Sequence, residues 1–400
     1  MVPGIDVVVV GGGVAGLAAA SALARSGRRV RLVEKASEFG EIGAGLQLGP
    51  NATRILAEWG LLDRVIASGV LPARLVLRDA RDGHELTALD LDEGFRQRYG
   101  GPYVVTHRSD LHGILLDAAA AAGVDLRTDS EVVAVRFDTD SATTTLASGA
   151  ELVSRVVVGA DGLHSRLRSV ISDDAPVPSG YVAYRGTVSA TEVEHAGSDD
   201  VIGWIGPDCH LVQYPLRRYE ILNQVAVFRS PRTDSAASEW GGPDELDAAF
   251  ARCCAPVRSA LGNLRRDRRW PMSDREPLAR WSRDRLLLIG DAAHPMLQYL
   301  AQGACQAIED ARELTRAIGD GPLDTTHWRQ AVEIFHERRA PRTMRIQAAA
   351  RWWGDLWHCD GRAAALRNAY LRDHDSTIVR HIDWLYGAQK TAGDYSGIKA

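Results

Sequence analysis

The sequence feature that most constrains the fold is a glycine-rich turn between a valine run and an alanine-rich segment. Residues 5–10 (IDVVVV) form a continuous β-branched run, which is typical of a strand buried on both faces of a parallel sheet. The turn that follows has the spacing G-x-G-x-x-G, formed by Gly11, Gly13 and Gly16. The Ala/Leu-rich segment that follows has helical spacing and closes at Ser26-Gly27, and residues 29–33 have a second strand pattern. The first 34 residues therefore predict a β-α-β unit.

This turn has the composition of a dinucleotide-binding fingerprint. One glycine allows a tight turn, a second lets the backbone approach a pyrophosphate, and a third permits close packing of helix on strand. Val14 and Ala15 open the helix, whose N-terminal N–H groups attract phosphate. Glu34 and Lys35 follow the second strand, where a carboxylate can accept hydrogen bonds from ribose hydroxyls. A glycine turn made only for packing is the alternative, and the pattern alone leaves FAD and NAD open.

Composition excludes several classes of protein. The chain has 400 residues, 45% hydrophobic and 25% charged, as expected for a globular protein of about two to three domains. Its net charge of -5 gives no indication of nucleic-acid binding. Schiff-base chemistry needs a desolvated amine, and the sequence argues against it because lysine occurs only at Lys35, Lys390 and Lys399.

The cysteines and the longest apolar run bear on the location of the protein. Five cysteines are scattered without a spacing suited to zinc, so we expect no metal site. Isolated cysteines of this kind are typical of reduced thiols and favour a cytoplasmic location. The uncharged run 7–24 follows Asp6 and is divided by three consecutive glycines. It therefore predicts a strand, a turn and a helix, and no transmembrane segment.

Two later strand ends carry carboxylates. Segment 156–168 (VVVGADGLHSRLR) places Asp161 after a buried strand, and segment 286–295 (LLLIGDAAHP) does the same with Asp291. The carboxyl ends of parallel strands share one edge of a sheet, where α/β proteins bind ligands. Together with the glycine turn, these motifs resemble in order and spacing those of the flavoprotein aromatic hydroxylases, the group A single-component FAD monooxygenases. The resemblance covers essentially the whole chain and implies FAD as the cofactor.

The patterns predict an α/β fold with three parts. Residues 1–75, 103–178 and 275–323 are expected to form a Rossmann-like FAD-binding domain. Alternating strand patterns between residues 180 and 228 predict an inserted antiparallel-sheet substrate domain, formed by residues 76–102 and 179–274. Residues 324–400 predict a helical C-terminal tail, rich in Arg and Trp. Its tryptophans are interpreted as core or as a subunit interface, which would make a homodimer, with lipid or partner binding as the alternative.

The resemblance implies which residues hold the adenosine and diphosphate parts of FAD. The glycine turn would hold the pyrophosphate, and Glu34 the adenosine ribose. Arg108 matches a family arginine near the diphosphate, for which a permanently charged bidentate fork is suited; a surface ion pair is the alternative. Asp161 would support FAD and the reductant, and Asp291 the ribityl chain. NADH or NADPH would act as a transient co-substrate, and the sequence does not distinguish between them.

Two further segments resemble those that flank the flavin ring. Gly303 and Ala304 open a segment similar to the family helix whose N-terminus faces the isoalloxazine, where it stabilises negative charge on the reduced ring. Gly45, Leu46 and Gln47 match the loop on the other side of the ring. Ordinary loop and helix packing is the alternative for both segments.

The substrate residues are predicted on the inserted sheet and beside the last motif. His210 and Tyr214 lie on one face of a predicted strand by alternation; a histidine on a strand is also commonly a core residue. Segment 294–300 (HPMLQYL) contributes Gln298, and Pro295 would direct its carbonyl toward the flavin. Tyr103 and the pair Tyr184-Arg185 are expected to line or approach the pocket. No residue stands out as an anchor for a substrate carboxylate.

These segments resemble most the 3-hydroxybenzoate 6-hydroxylase subfamily, in which a matching His and Gln activate the phenol. The resemblance implies hydroxylation of 3-hydroxybenzoate para to its hydroxyl to give gentisate, with O₂ and NAD(P)H, through a C4a-hydroperoxide of the flavin. The expected partners are thus a small aromatic acid, O₂ and NAD(P)H. A salicylate or related hydroxybenzoate hydroxylase remains an alternative, and a non-catalytic flavin-binding sensor is a further one.

Overall fold

The computed structural model describes residues 4–40, 45–190, 199–230, 244–373 and 378–387. Its helices are α1 (Val14–Arg25), α2 (Pro50–Glu58), α3 (Leu62–Ser68), α4 (Glu93–Tyr99), α5 (Arg108–Ala121), α6 (Asp244–Phe250), α7 (Ala255–Ala260), α8 (Gly303–Ile318), α9 (Thr325–His358), α10 (Gly361–Asp373) and α11 (Ile378–Tyr386). Its strands are β1 (Ile5–Val10), β2 (Val30–Val33), β3 (Gly45–Leu48), β4 (Arg74–Asp79), β5 (Glu85–Asp90), β6 (Val104–His107), β7 (Asp125–Arg127), β8 (Val132–Phe137), β9 (Ala142–Leu146), β10 (Glu151–Gly159), β11 (Val177–Ser189), β12 (Val201–Gly206), β13 (Cys209–Leu216), β14 (Ile221–Arg229), β15 (Trp270–Asp274), β16 (Ser282–Arg283) and β17 (Leu286–Leu288).

A parallel sheet of the order β17-β10-β1-β2-β7 forms the centre of the first domain. β1 lies in its middle, with Val9 paired to both Val158 and Leu32. The side chains of β1 from Val7 onward are buried on both faces of the sheet, which is why the sequence there is a continuous apolar run. This confirms the predicted β-α-β unit. It also places the ends of β1, β10 and β17 at one edge of the sheet.

The second sheet has the order β15-β11-β14-β13-β12-β4-β5. Its strands β11 to β14 pair antiparallel, as predicted for residues 180–228, whereas β12 and β4 run parallel. Because Val76 of β4 pairs with Ile202 of β12, the whole of β4 belongs to this sheet. The domain boundary predicted after residue 75 therefore falls inside a strand. The pairing of β4 with β12 joins segments that are more than a hundred residues apart in the sequence. The local sequence pattern around residue 75 therefore does not reveal to which sheet β4 belongs.

The described residues of the C-terminal tail form helices α9, α10 and α11, as predicted, and pack on the domains of both sheets. Asp324 caps α9 by accepting a hydrogen bond from the His327 backbone N–H. Near its other end, α9 buries Trp357 against the second sheet while Trp352 stays 59% exposed. The tail therefore supplies core side chains next to the substrate sheet. None of the helices in the described parts of the chain is long and apolar enough to cross a membrane.

A buried ion-pair network joins α8 to α9. Arg339 of α9 is fully buried and pairs with Glu309 and Asp310 of α8. Burial opposes ionisation of Glu309, but the charges of Arg339 and Arg342 outweigh it and lower its pKa to about 2. Such a network holds its members in fixed positions, since breaking one pair would leave a buried charge uncompensated. The network thus fixes the position of α8 relative to α9.

Candidate active site

A cavity of about 1600 Å³ extends from the glycine turn to the face of the second sheet. This volume exceeds the roughly 300–1,000 Å³ of ordinary ligand pockets, so it has room for a large cofactor and a small second ligand. The cavity lining includes most of the predicted site residues: Gly11, Gly13, Val14, Ala15, Glu34, Lys35, Gly45, Leu46, Gln47, Tyr103, Arg108, Asp161, His210, Tyr214, Asp291, Gln298, Gly303 and Ala304. Arg185 lines it as well, whereas Gly16, Pro295 and Tyr184 are predicted residues that do not.

The glycine turn leaves no space for side chains. Gly11 has φ +109°, and a Cβ there would lie 2.4 Å from the carbonyl oxygen of Ala160. A Cβ on Gly16 would lie 1.9 Å from the carbonyl oxygen of Gly11, so Gly16 serves helix-strand packing rather than ligand contact. His112 of α5 contacts the Gly12 carbonyl oxygen through Nε2 at 2.8 Å and supports the turn from behind.

The N-terminus of α1 is open toward the cavity. No side chain caps it at Gly13, and its first turn carries no acidic residue. The N–H groups of this turn and the helix dipole are therefore available to an anion. Arg108, the first residue of α5, also lines the cavity. Both features fit the diphosphate of FAD.

The sequence pattern of residues 110–122 predicts a helix with an acidic first turn, but α5 begins two residues earlier, at Arg108. His107 precedes it and accepts a hydrogen bond from the Ser109 backbone N–H at its Nδ1 atom. Histidine is not among the residues that commonly cap a helix, so the sequence pointed to the later acidic residue. The earlier start places Arg108 in the first turn.

Glu34, at the end of β2, joins the glycine turn to the loop that follows β2 through hydrogen bonds. One carboxylate oxygen accepts from the Gly12 N–H at 2.6 Å, and the other accepts from the Ala36 N–H at 2.9 Å. Each oxygen has a second lone pair, so the carboxylate can still accept from a ribose hydroxyl. Its place in the cavity lining fits the predicted contact with the adenosine ribose.

The two later motifs are anchored differently. The carboxylate of Asp161 accepts from Ser165 Oγ at 2.6 Å and from the Arg166 N–H at 2.8 Å, so it shapes its own turn at the cavity wall. Asp291 sits in a short 3₁₀ turn and is exposed at the cavity. The turn of Asp291 is held by Asp310, which accepts from the Gly290 N–H at 2.9 Å and contacts His294 Nε2 at 2.6 Å.

The residues predicted to flank the flavin ring, at the start of α8 and on β3, all line the cavity. Gly303 begins α8, and a Cβ built on it would meet no protein atom closer than Asp291 Oδ1 at 4.0 Å. A flat ring can therefore approach this helix end closely. Gly45 and Leu46 lie on β3, and a Cβ on Gly45 would lie 2.5 Å from the Tyr214 ring. The arrangement of these backbone surfaces fits the isoalloxazine of FAD.

The substrate side of the cavity is a face of the second sheet. Pairing places Ala183, Val227 and His210 in one cross-strand row, and Arg185, Val225 and Val212 in the next row. Paired residues point to the same face, so His210 and Arg185 share the face that lines the cavity. Adjacent rows lie about 7 Å apart, because each residue advances an antiparallel strand by about 3.4 Å.

His210 is a buried, neutral imidazole. It is 1% exposed, and burial, together with the nearby His358, lowers its pKa well below the usual value. His210 therefore keeps a nitrogen lone pair at neutral pH. The rings of Tyr299 and Trp357 pack beside it, with centroids 5.4 and 5.1 Å away.

Gln298 and Arg185 meet above the sheet. The Arg185 Nη2 atom donates to Gln298 Oε1 at 3.3 Å, and Arg185 Nε is buried with no hydrogen-bond partner among the described residues. Burial lowers the pKa of Arg185. The guanidinium lies over the Trp270 ring, 5.6 Å from its centroid. It is a cation with an unsatisfied donor at the cavity.

Tyr103 and Tyr214 approach the cavity from opposite sides of the β3 loop. Tyr103 donates to Gln47 Oε1 at 2.6 Å, and burial raises the pKa of both tyrosines. They are therefore hydroxyl donors at neutral pH. Both tyrosines line the cavity.

Two expectations on the substrate side need correction. Tyr184 faces away from the cavity, because it alternates with Arg185 on β11, and it stacks on Phe228 on the far side of the sheet. The carbonyl of Pro295, predicted to face the flavin, accepts a hydrogen bond from Gln347 Nε2 at 2.9 Å in a buried position. Pro295 thus helps fix the turn between β17 and α8.

One functional residue escaped the sequence analysis. His358, the last residue of α9, contacts His210 with Nε2 2.8 Å from Nδ1. The two are 148 positions apart, and no local pattern links them. The sequence predicts only that Arg185 lines or approaches the pocket. That its Nε has no hydrogen-bond partner among the described residues follows from the folded structure.

The comparisons with known sequences give one family. The family described as "FAD binding domain" matches residues 4–350. The chain is 37% identical to a 3-hydroxybenzoate 6-hydroxylase of Klebsiella oxytoca, over 95% of this chain and 96% of that protein. It is 35% identical to a 3-amino-4-hydroxybenzoate 2-monooxygenase of Streptomyces platensis, over 95% of each chain. These enzymes favour a catalytic protein over the flavin-binding sensor.

Solved structures show the same fold. Klebsiella pneumoniae HpxO complexed with FAD and uric acid has a TM-score of 0.83 at 24% identity, covering 94% of this chain and 95% of that one. A salicylate hydroxylase substrate complex has a TM-score of 0.79 at 23% identity, covering 96% of both chains. The family match over residues 4–350 establishes FAD as the cofactor, and the open α1 terminus and the glycine-lined cavity fit it. The chain belongs to the FAD-dependent aromatic hydroxylases, a family of monooxygenases.

Proposed function

We propose that this protein hydroxylates 3-hydroxybenzoate at C6, para to the hydroxyl group, and forms gentisate with O₂ and NADH or NADPH as co-substrates. The observation that carries the proposal is the placement of His210 and Arg185 in adjacent rows of one sheet face, within the same cavity as the FAD-binding turn. The rows are about 7 Å apart along the strands and β14 lies between β11 and β13, so roughly 12 Å separates the two Cα atoms. Across this span a proton acceptor and a cation can hold the hydroxyl and the carboxylate of one small aromatic ring.

His210 is the proton acceptor in this proposal. Hydroxylation by electrophilic oxygen needs an electron-rich ring, and a phenolate is far more electron-rich than a phenol. Because His210 is neutral at physiological pH, its free Nε2 can accept the phenol proton. Gln298 lies at the same end of the cavity and can orient the hydroxyl through its amide.

Arg185 is the carboxylate anchor that the sequence analysis did not identify. Its unsatisfied Nε and its Nη2 present two donors in a planar fork, which suits bidentate binding of a carboxylate. Burial makes such a pair stronger than a surface ion pair. Val212 and Val225 lie beside Arg185 in its row and supply an apolar floor for the ring.

Bound FAD supplies the redox chemistry, in which NADH or NADPH provides the electrons and O₂ the oxygen atom. The chain's own contribution is to hold the ring, take its proton and exclude water. Val212, Leu297 and the Tyr299 ring surround the substrate end and keep it apolar. A dry site matters because water at the flavin favours release of peroxide over transfer of oxygen.

The position of hydroxylation follows from the ring chemistry. A phenolate directs electrophilic oxygen to its ortho and para carbons, and the para carbon of 3-hydroxybenzoate is C6. With the hydroxyl at His210 and the carboxylate at Arg185, C6 lies on the ring edge opposite the hydroxyl. Oxygen added there gives 2,5-dihydroxybenzoate, which is gentisate.

A substrate panel tests the proposal. FAD-loaded protein is given NADH or NADPH with 3-hydroxybenzoate, salicylate or 3-amino-4-hydroxybenzoate, and nucleotide oxidation, peroxide and aromatic product are all measured. We expect 3-hydroxybenzoate to give the largest kcat/KM and gentisate as product. Hydroxylation of only one of the other two acids would overturn the substrate assignment. Nucleotide oxidation that ends entirely in peroxide with every acid would overturn hydroxylation itself.

The cysteines support the proposed cytoplasmic location. All five are free, and Cys209 and Cys253 remain unbonded although their sulfur atoms lie 3.8 Å apart in the core. A reducing compartment keeps such a pair as thiols.

A further inference from the structure

His210 and His358 form a buried imidazole pair at the end of the cavity. His210 Nδ1 and His358 Nε2 are 2.8 Å apart, and the rings stack with centroids 5.0 Å apart at 21°. His210 lines the cavity, whereas His358 lies behind it and is 5% exposed. Any proton that His210 takes from a substrate can therefore pass to His358 directly.

The contact couples the tautomers of the two rings. A neutral imidazole has one N–H donor and one bare nitrogen, so one ring donates across the 2.8 Å contact and the other accepts. For His210 to accept a phenol proton at Nε2, its Nδ1 must carry the proton shared with His358. His358 then carries its own proton on Nδ1.

The outer nitrogen of His358 has an unusual environment. His358 Nδ1 is buried and has no hydrogen-bond partner among the residues that the structure describes. A buried donor without a partner costs about 1–3 kcal/mol, so a purely structural histidine would be expected to satisfy it. The unpaired nitrogen is the one from which a relay would release its proton.

Groups near the protein surface contact His358. The Tyr181 ring stacks on His358 at 4.4 Å, and the Asp208 backbone N–H donates to the His358 carbonyl oxygen at 3.1 Å. The Asp208 side chain is 59% exposed and pairs with Arg229 at 2.6 Å. The titratable and charged groups around the imidazole pair are Tyr181, Asp208, Arg229, Tyr299 and Arg367.

We propose that His358 is a positioning residue that fixes the tautomer of His210 and relays the substrate's phenol proton to the Asp208 surface. The inference rests on the proposed hydroxylation of a phenol. The O–H bond breaks as a bond to His210 Nε2 forms; the His210 Nδ1–H bond breaks as a bond to His358 Nε2 forms; and the His358 Nδ1 proton leaves to water beside Asp208. The reverse passage returns a proton to the product.

The electrostatics agree with this role. Burial lowers the pKa of His358 to about 3, the Asp208 carboxylate opposes that shift, and Arg229 and Arg367 reinforce it. Both imidazoles are therefore neutral at rest. Each can then accept a proton only while it gives up its other one, as a relay requires.

The test replaces His358 by glutamine and measures FAD content, kcat, KM and the solvent deuterium isotope effect on kcat with 3-hydroxybenzoate across pH. We expect kcat to fall by about 10- to 100-fold with KM changed by less than about threefold, and the isotope effect to rise by at least about twofold, because proton transfer becomes slower. His336→Gln is the matched control, since it removes another buried histidine of α9 that does not line the cavity. It should leave all four measurements unchanged.

A second variant keeps the proposal testable if His358→Gln loses FAD or folds poorly. Asp208→Asn alters the exposed end of the relay, and asparagine tolerates the positive φ of 55° at this position. We expect a smaller loss of kcat, about 2- to 5-fold, with FAD binding intact. An unchanged kcat and isotope effect in both variants would overturn the relay. Failure of the wild-type protein to hydroxylate any phenolic acid would instead overturn the proposed function.

Discussion

The two ends of the cavity are built in different ways. The FAD end consists mainly of backbone: the glycine turn, the uncapped start of α1 and the first residue of α8. The substrate end consists of side chains from four segments, with His210, Arg185, Gln298 and His358 brought together by sheet pairing and by α9. At the FAD end, the turn positions tolerate only glycine, and the backbone binds the cofactor without selecting among substrates. At the substrate end, the side chains determine the chemistry, so a single substitution can change it.

The largest expected effect breaks the FAD end alone. In Gly11→Ala the added Cβ would meet the Ala160 carbonyl oxygen at 2.4 Å with φ at +109°. We expect FAD affinity to fall by at least about 100-fold, equivalent to about 2.7 kcal/mol, measured by titration of the apoprotein with FAD. Gly113→Ala is the matched control, because a Cβ there meets no atom within 4 Å in α5. FAD binding by Gly11→Ala at wild-type affinity would contradict the account of the turn.

The next effect breaks the substrate end and spares the FAD end. His210→Asn removes the proton acceptor, and we expect kcat for 3-hydroxybenzoate to fall by about 100- to 1,000-fold with FAD still bound. Product formation and the flavin absorbance spectrum measure the two effects separately. His84→Gln, at an exposed histidine, is the control. Turnover that survives His210→Asn would remove His210 from the mechanism.

A smaller effect separates carboxylate binding by Arg185 from proton acceptance by His210 within the substrate end. Arg185→Met removes the proposed carboxylate anchor while keeping an apolar side chain. We expect KM for 3-hydroxybenzoate to rise by about 10- to 100-fold, or about 1.4–2.7 kcal/mol, and binding of uncharged 3-hydroxybenzamide to change little. Steady-state KM and inhibition by the amide are the measurements. Equal weakening of acid and amide would show that Arg185 serves packing instead.

The smallest expected effect concerns stability and pH. His358 has a pKa of about 3 in the folded state, whereas a histidine in an unfolded chain titrates near 6.5. Below about pH 6.5 the unfolded state binds the additional proton, so stability is full above that pH and falls toward pH 3. The slope is at most about 1.4 kcal/mol per pH unit. The free energy of unfolding in urea, measured at pH 7.5 and 5.5, should depend less on pH in His358→Gln than in the wild-type protein. An equal pH dependence in the two proteins would contradict a buried, neutral His358.

Sequence reasoning succeeded where the chemistry is local. The valine run, the glycine spacing and Glu34 lie within one β-α-β unit, so periodicity and turn chemistry are enough to predict the cofactor end. Asp161 and Asp291 could be placed at the same sheet edge because both follow buried strands. These expectations depend on rules that operate over a few residues.

It fell short where the chemistry depends on tertiary pairing. The role of Arg185 requires knowing that β11 and β13 lie on either side of β14 with a particular register. The contact of His358 with His210 requires knowing where a 34-residue helix ends relative to the sheet. No periodicity encodes either relation, so both appear only in the folded chain.

The most direct test of the central claim is the identity of the product formed from 3-hydroxybenzoate. FAD-loaded protein is incubated with 3-hydroxybenzoate, NADH or NADPH, and ¹⁸O₂, and the product is identified by NMR and mass spectrometry. The account predicts 2,5-dihydroxybenzoate carrying one ¹⁸O atom, formed in step with nucleotide oxidation. Formation of 2,3- or 3,4-dihydroxybenzoate, or of unlabelled product, would contradict it.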